Sequence, residues 1–155
     1  MIGSRIKLAV KDTPLKYWVG VGYDAVSGDD PTTTDDEAFN TLYATNHKYY
    51  GFMDYFVDVP VHTIGAGLTD IVLSAGLTPV SKLSAKVDYH LMSTSQDVAV
   101  GSNIGSEIDL TGSYGYSKDL KIVAGVSIFT PGEVFKVWQG QDRSTWGYLM
   151  TIYNF

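Results

Sequence analysis

The chain has 155 residues, the length of one domain, and sets 11 Lys plus Arg against 17 Asp plus Glu for a formal net charge of -6. That balance argues against a nucleic-acid-binding protein, and the absence of Cys excludes disulfides, thiolate metal sites and a cysteine nucleophile. No run approaches the about 18 consecutive apolar residues of a membrane-spanning helix, and the opening MIGSRIKLAV lacks the basic-then-apolar order of a secretory signal.

Helical periodicity is missing, and seven segments alternate with the period of two that marks half-buried strands. In the first, Ile2, Ile6, Leu8 and Val10 oppose Gly3, Arg5, Lys7 and Ala9. A short turn around Asp12-Thr13-Pro14 leads to the second, where Leu15, Tyr17, Val19, Val21 and Tyr23 oppose Trp18, Gly20, Gly22 and Asp24. A long link follows, from about 28 to 69. Between Asp29 and Asp58 it sets seven acids against one base, so this stretch holds the whole excess of -6. The third segment places Ile71, Leu73, Ala75, Leu77 and Pro79 opposite Asp70, Val72, Ser74, Gly76 and Thr78.

After a turn at Val80-Ser81-Lys82 comes the clearest segment, with Leu83, Ala85, Val87, Tyr89 and Leu91 on one face and Ser84, Lys86, Asp88 and His90 on the other. A second long link is expected from Ser93 to Ser106. The fifth segment opposes Ile108, Leu110, Gly112, Tyr114 and Tyr116 to Glu107, Asp109, Thr111, Ser113 and Gly115. Past the turn Ser117-Lys118-Asp119, the sixth opposes Leu120, Ile122, Ala124, Val126 and Ile128 to Lys121, Val123, Gly125, Ser127 and Phe129. A third long link, Thr130 to Ser144, precedes a last segment with Leu149, Thr151, Tyr153 and Phe155 on one face.

Short and long connections thus alternate, as the tight periplasmic turns and long extracellular loops of an outer-membrane barrel do. Alternation alone would also fit a soluble β-sandwich or a lipocalin-like barrel. The aromatic placement favours the membrane: Tyr17, Tyr23, Tyr89, Tyr114, Tyr116, Tyr153 and Phe155 lie on the apolar faces near the segment ends, where aromatic girdles meet lipid headgroups. The expected fold is an all-β, antiparallel, up-and-down transmembrane barrel portion of about seven strands. Seven strands are odd in number and too few to close, so residues 1–155 are expected to be the C-terminal part of a longer barrel.

The segment Asn40-Thr41-Leu42-Tyr43-Ala44-Thr45-Asn46-His47-Lys48-Tyr49-Tyr50-Gly51-Phe52-Met53-Asp54 is more specific than any periodicity. With Gly22-Tyr23-Asp24-Ala25-Val26-Ser27-Gly28-Asp29 before it, and Gly67-Leu68-Thr69-Asp70 and Val87-Asp88-Tyr89-His90 after it, it resembles the C-terminal region of the alginate-export-like family of outer-membrane β-barrels. The resemblance implies a monomeric porin-like barrel of about 16 to 18 strands in the outer membrane of a Gram-negative bacterium. Its implied partners are the lipid bilayer, a small polar solute and the barrel-assembly machinery. Leu149, Tyr153 and Phe155 match the terminal pattern which that machinery reads.

On the polar faces Arg5, Lys7, Lys86, Lys121 and His90 stand beside Asp24, Asp70, Asp88, Glu107 and Asp109. They are expected to line a water-filled pore and to bias its ion selectivity. A conduit for anionic polysaccharide is expected to be strongly basic, and here four bases face five acids, so weak or mildly cation-favouring selectivity follows. Asp29, Asp30, Asp35, Asp36 and Glu37 read as a solvated mouth loop without the ligand spacing of a dedicated Ca²⁺ loop. Asn46, His47, Lys48, Tyr49 and Tyr50 are expected to pack against or fold into the barrel mouth, because so many aromatics are costly to leave in water. His47, His62 and His90 sit in no nucleophile elbow or metal-ligand spacing, so neither catalysis nor a metal or other cofactor is expected. The function expected is passive passage of small polar or anionic solutes, oligosaccharides among them. The competing reading is a surface binding or adhesion module acting through the long acidic loop.

Overall fold

A computed structural model describes residues 1–10, 12–41 and 49–155, so the expectations for Asn46, His47 and Lys48 lie outside the described residues. Seven strands form one antiparallel sheet in sequence order: β1 (Ile2–Val10), β2 (Lys16–Val26), β3 (Leu68–Val80), β4 (Leu83–Val98), β5 (Gly101–Gly115), β6 (Leu120–Pro131) and β7 (Ser144–Tyr153). Two short helices sit in the long links, α1 (Val59–His62) before β3 and α2 (Glu133–Trp138) before β7. The all-β, up-and-down architecture is the one the alternation predicts, and β1 and β7 are the two edges of the sheet. Strands of nine to sixteen residues meet or exceed the about 9 to 11 that a tilted strand needs to cross a bilayer.

Strand register turns the alternation into rows. On one face Ile6, Val21, Leu73, Tyr89, Ile108 and Ile128 lie side by side, and the next row holds Leu8, Val19, Ala75, Val87, Leu110 and Val126. This outer face is apolar and bare: Leu8 is 69 %, Val19 52 % and Leu110 49 % exposed. A contiguous apolar band of this kind is rare on soluble monomers and marks a surface that meets lipid or another protein. On the inner face one row runs Arg5, Gly22, Val72, His90, Glu107, Phe129, and the next Lys7, Gly20, Ser74, Asp88, Asp109, Ser127.

The short links join β1 to β2, β3 to β4 and β5 to β6 at one end of the sheet, called here the turn end. The opposite, loop end differs from the sequence reading in its long links. The link expected from Ser93 to Ser106 is instead strand, because β4 and β5 continue as a hairpin whose tip is Ala99 and Val100. The last segment starts at Ser144, where the sequence reading ends the third long link, and stops at Tyr153, two residues short of the alternation's end at Phe155. The other two long links carry α1 and α2 rather than plain loop; Asp58 caps α1 by accepting the Val61 N–H, with Pro60 in its first turn.

The hydrophobic cluster of the molecule lies at this loop end, on the inner side. Tyr50, Phe56 and Val59 from the first long link, Met92 from β4, Ile104 from β5, Phe129 from β6, and Val134 and Phe135 from α2 are buried together. Tyr55 and Phe135 flank Phe129 at ring-centroid distances of 4.9 and 4.6 Å. Crossing backbones close the base of the long link: Gly28 packs against the Ala66 carbonyl and Gly67, at φ +70, against the Val26 carbonyl, so neither position has room for a Cβ.

Candidate functional site

The inner face brings Arg5, Lys7, Asp24, Asp70, Lys86, Asp88, His90, Glu107 and Asp109 together over β1 to β5, while Lys121 stands apart on β6 near the turn end. Of these cations, those over β1 to β4 each have a local partner. Arg5 Nη1 donates to Asp24 Oδ1 at 2.9 Å, and its second terminal nitrogen contacts Asp24 Oδ2. Lys86 Nζ meets Asp88 Oδ2 at 2.6 Å, and Lys7 Nζ lies 4.0 Å from the centroid of the Trp18 ring. His90 bridges two carboxylates, with Nδ1 at 2.7 Å from Asp70 Oδ2 and Nε2 at 3.5 Å from Asp109 Oδ2. Both ring nitrogens are thus directed to acids, and among the described residues no serine hydroxyl joins His90 as a nucleophile would.

Glycines let the long side chains lie flat along the wall. Arg5 crosses Gly22, where a Cβ would stand 2.6 Å from its Cδ; the Trp18 indole covers Gly76, and the Tyr148 ring covers Gly125. Side chains that would otherwise project from the inner face are therefore laid against it.

Over this wall folds the segment 49–56 of the first long link. Glu107 and Asp109, each 1 % exposed, hold its backbone: the Met53 N–H donates to Glu107 Oε1 at 2.8 Å, and the Phe52 N–H to Asp109 Oδ2 at 3.3 Å. The chain turns tightly to present both groups, with positive φ at Tyr50 (63), Gly51 (87) and Asp54 (58). Gly51 is required twice over, because a Cβ there would stand 2.5 Å from the Glu107 carboxylate. Tyr55 closes the far side, its hydroxyl 2.7 Å from Ser144 Oγ on β7. Tyr50 is buried, which pushes its hydroxyl up to about 12, the Asp24 and Asp70 charges adding to the effect. Between segment and wall remains a cavity of about 320 Å³ lined by Arg5, Lys86, Asp88, His90 and Asp109 on one side and Tyr49, Tyr50 and Phe52 on the other.

The sequence reading placed Tyr49 and Tyr50 at the mouth but missed the seat they fold onto. Its signal was legible in outline: Val72, Met92 and Phe129 are apolar residues that share their rows with Arg5, His90, Glu107 and Asp70, all toward the loop end. The acidic run is organised by its own backbone. Asp30 Oδ1 accepts from the Thr32 N–H at 2.9 Å, Glu37 Oε2 from the Asp30 N–H at 3.1 Å, Asp29 Oδ1 from the Glu37 N–H at 3.2 Å and Asp36 Oδ1 from the Ala38 N–H at 3.1 Å. The bonds from Thr32 hold the Asp30 carboxyl below its usual range. At the end of the chain Leu149 and Tyr153 point outward, 76 % and 62 % exposed, and the rings of Tyr153 and Phe155 lie 6.2 Å apart.

The model of the alginate export family matches residues 2–148 of the chain. No curated protein and no solved structure matches it.

Proposed function

The chain belongs to the alginate export family, and from that premise we propose that it forms a section of the wall of an outer-membrane channel through which small polar or anionic solutes, oligosaccharides among them, pass by diffusion. The observation that carries this reading is the inverted polarity of the sheet. A soluble sandwich buries its apolar face and wets the other. Here the covered face holds Asp24, Asp70, Asp88, His90, Glu107 and Asp109, none more than 8 % exposed, and the bare face is the aliphatic and aromatic one. Lipid is the surrounding that accepts the bare face, and β1 and β7 take further strands on their open edges, since unpaired backbone groups are not stable in a bilayer. Assembly proceeds through the barrel-assembly machinery, with Leu149, Tyr153 and Phe155 as the residues it reads.

In this reading segment 49–56 is a constriction, held at the inner wall by Glu107 and Asp109, and the solute threads the passage between Arg5 and Lys86 on the cationic side and the carboxylates about His90. The competing reading, a surface module that recognises a partner through its acidic loop, calls for free carboxylates; those of Asp29, Asp30, Asp36 and Glu37 instead accept local N–H groups. Single-channel recording of the assembled protein in a planar bilayer tests the proposal. Open channels are expected, and Glu107→Gln with Asp109→Asn should loosen the segment and give larger, less steady conductance. A reconstituted protein that passes no current overturns the channel; unchanged conductance in the double variant overturns the constriction.

A further inference from the structure

The inner face changes character at its β7 edge. Over β1 to β5 it carries charge, whereas the inward positions of β7 are Trp146, Tyr148, Met150 and Ile152, paired with Ser127, Gly125, Val123 and Lys121. Two of these side chains make a floor. Gly125 lets the Tyr148 ring lie along the wall, Thr111 Oγ1 stands 3.2 Å from its hydroxyl, and the Trp146 ring stacks beside it at a centroid distance of 5.0 Å and an angle of 28°. Phe52, carried over β7 by the first long link, stands upright on that floor, its ring at 87° to Tyr148 and 6.1 Å away. With Met150 and Asp54 the three rings line a cavity of about 380 Å³.

The constriction uses only the Phe52 N–H of this corner. Trp146 is 44 % and Met150 45 % exposed, and a strand added beyond β7 pairs with its backbone edge while the inward side chains stay turned to the lumen. The corner offers ring faces, which carry the negative side of the aromatic quadrupole and attract a cation within about 6 Å of the centroid. The fixed charge around it has the same sign: Asp54 is the charged residue of the described lining, and Asp109 shares the row of Trp146 with Ser127 between them, about 10 Å away at a strand spacing of about 4.8 Å. This wall already holds one cation over an indole, Lys7 Nζ at 4.0 Å from the Trp18 centroid, whereas among the described residues no Lys or Arg stands over Trp146. From this corner we infer that β7 carries a binding site for a small organic cation of the quaternary ammonium class, seated between Phe52, Trp146 and Tyr148. A methylated ammonium suits the site better than a primary one, because its methyl groups need only apolar contact and the lining has few acceptors for N–H groups.

The consequence for transport rests on the channel reading above. A site beside segment 49–56 concentrates organic cations at the constriction, and a bound ammonium there stands in the path of smaller ions and slows their current. Binding itself needs no open pore, so the site and the channel fail separately.

The test is titration calorimetry of the assembled protein in detergent with choline and with dimethylbutanol, the uncharged isostere that has carbon in place of nitrogen. Choline should bind, and the alcohol about tenfold more weakly, the scale of a desolvated cation on an indole. Trp146→Leu should weaken choline about tenfold and the alcohol far less, and Trp146→Phe should recover part of the loss. In bilayers added choline should reduce the potassium current of the natural protein and reduce that of Trp146→Leu less. Equal affinity for choline and dimethylbutanol overturns the site, as does a choline affinity that Trp146→Leu leaves unchanged. The comparison of the two ligands requires no variant and stands if Trp146→Leu fails to assemble. Choline binding of the expected selectivity in a protein that passes no current upholds the site and overturns the channel; a conducting protein that binds no choline does the reverse.

Discussion

Single residues on adjacent positions of one strand face opposite solvents here, and the energies differ accordingly. Val87 lies in the bare apolar row between Ala75 and Leu110, whereas its neighbour Lys86 turns to the inner face and contacts Asp88 with 44 % of its side chain still exposed. If the outer face meets lipid, Val87→Arg near mid-strand should cost about 2 to 4 kcal/mol. Lys86→Ala should cost under about 1 kcal/mol, because a half-exposed ion pair contributes little. Refolding titrations into lipid bilayers measure both, and equal costs or the reverse order would end the assignment of faces. The glycines follow the same logic: at Gly76 and Gly125 the missing Cβ is what lets Trp18 and Tyr148 lie flat, so the alternation of small and large residues on the inner face is a packing device.

At the level of elements, the strands were legible in sequence to the extent that lipid and water lay on opposite sides of them. Along β4 the outward positions are apolar from Leu83 to Leu91 and then become Ser93, Ser95 and Asp97, while the inward ones change from Lys86, Asp88 and His90 to Met92. The pattern inverts where the strand leaves the apolar band and its inner side meets the loop cluster, so a search for an unbroken apolar face stops at Leu91. A shift of register between Met92 and Ser93 adds to this by placing Ile104 and Gly105 opposite a single step of β4, which turns Ile104 into the core at 0 % exposure. The segment 49–56 was half legible: its aromatics announce burial, but the Glu107 and Asp109 carboxylates that receive its N–H groups read in sequence as wetted wall. Its seat should be sensitive to alkali. Tyr50 ionises near 10.0 when free and about 12 when seated, so the neutral form favours the seated segment. That contribution is complete below pH about 10 and is lost as pH rises through about 12. Conductance measured across this window should climb in the natural protein, and Tyr50→Phe should remove the climb; a variant with the same alkaline transition would place its origin elsewhere.

At the scale of the whole molecule, two features of the sheet decide behaviour: its open edges and its charge. With β1 and β7 unpaired, the 155-residue chain by itself should aggregate through its edges and give no compact, heat-modifiable band on a gel. A monodisperse, heat-modifiable species would show that seven strands suffice. Selectivity is the finer question, since the family matched by the chain is one of alginate export and a dedicated conduit for anionic polysaccharide needs compensating positive charge along its length. On this wall the cations near the constriction are matched by acids: Arg5 is paired with Asp24 and Lys86 with Asp88, and His90 lies between Asp70 and Asp109. The net excess of -6 lies in the long link, whose run from Asp29 to Glu37 is exposed or half-exposed at the loop end. Weak or mildly cation-favouring selectivity is therefore expected of the assembled channel, set by the loop end. Reversal potentials under a salt gradient should move toward anions when Asp29, Asp30, Asp35, Asp36 and Glu37 are neutralised together, and the movement should shrink as salt is raised. Strong anion selectivity that the neutralisation leaves unchanged would mean that strands beyond β1 and β7 set the pore, and that the acidic run has no electrostatic part in transport.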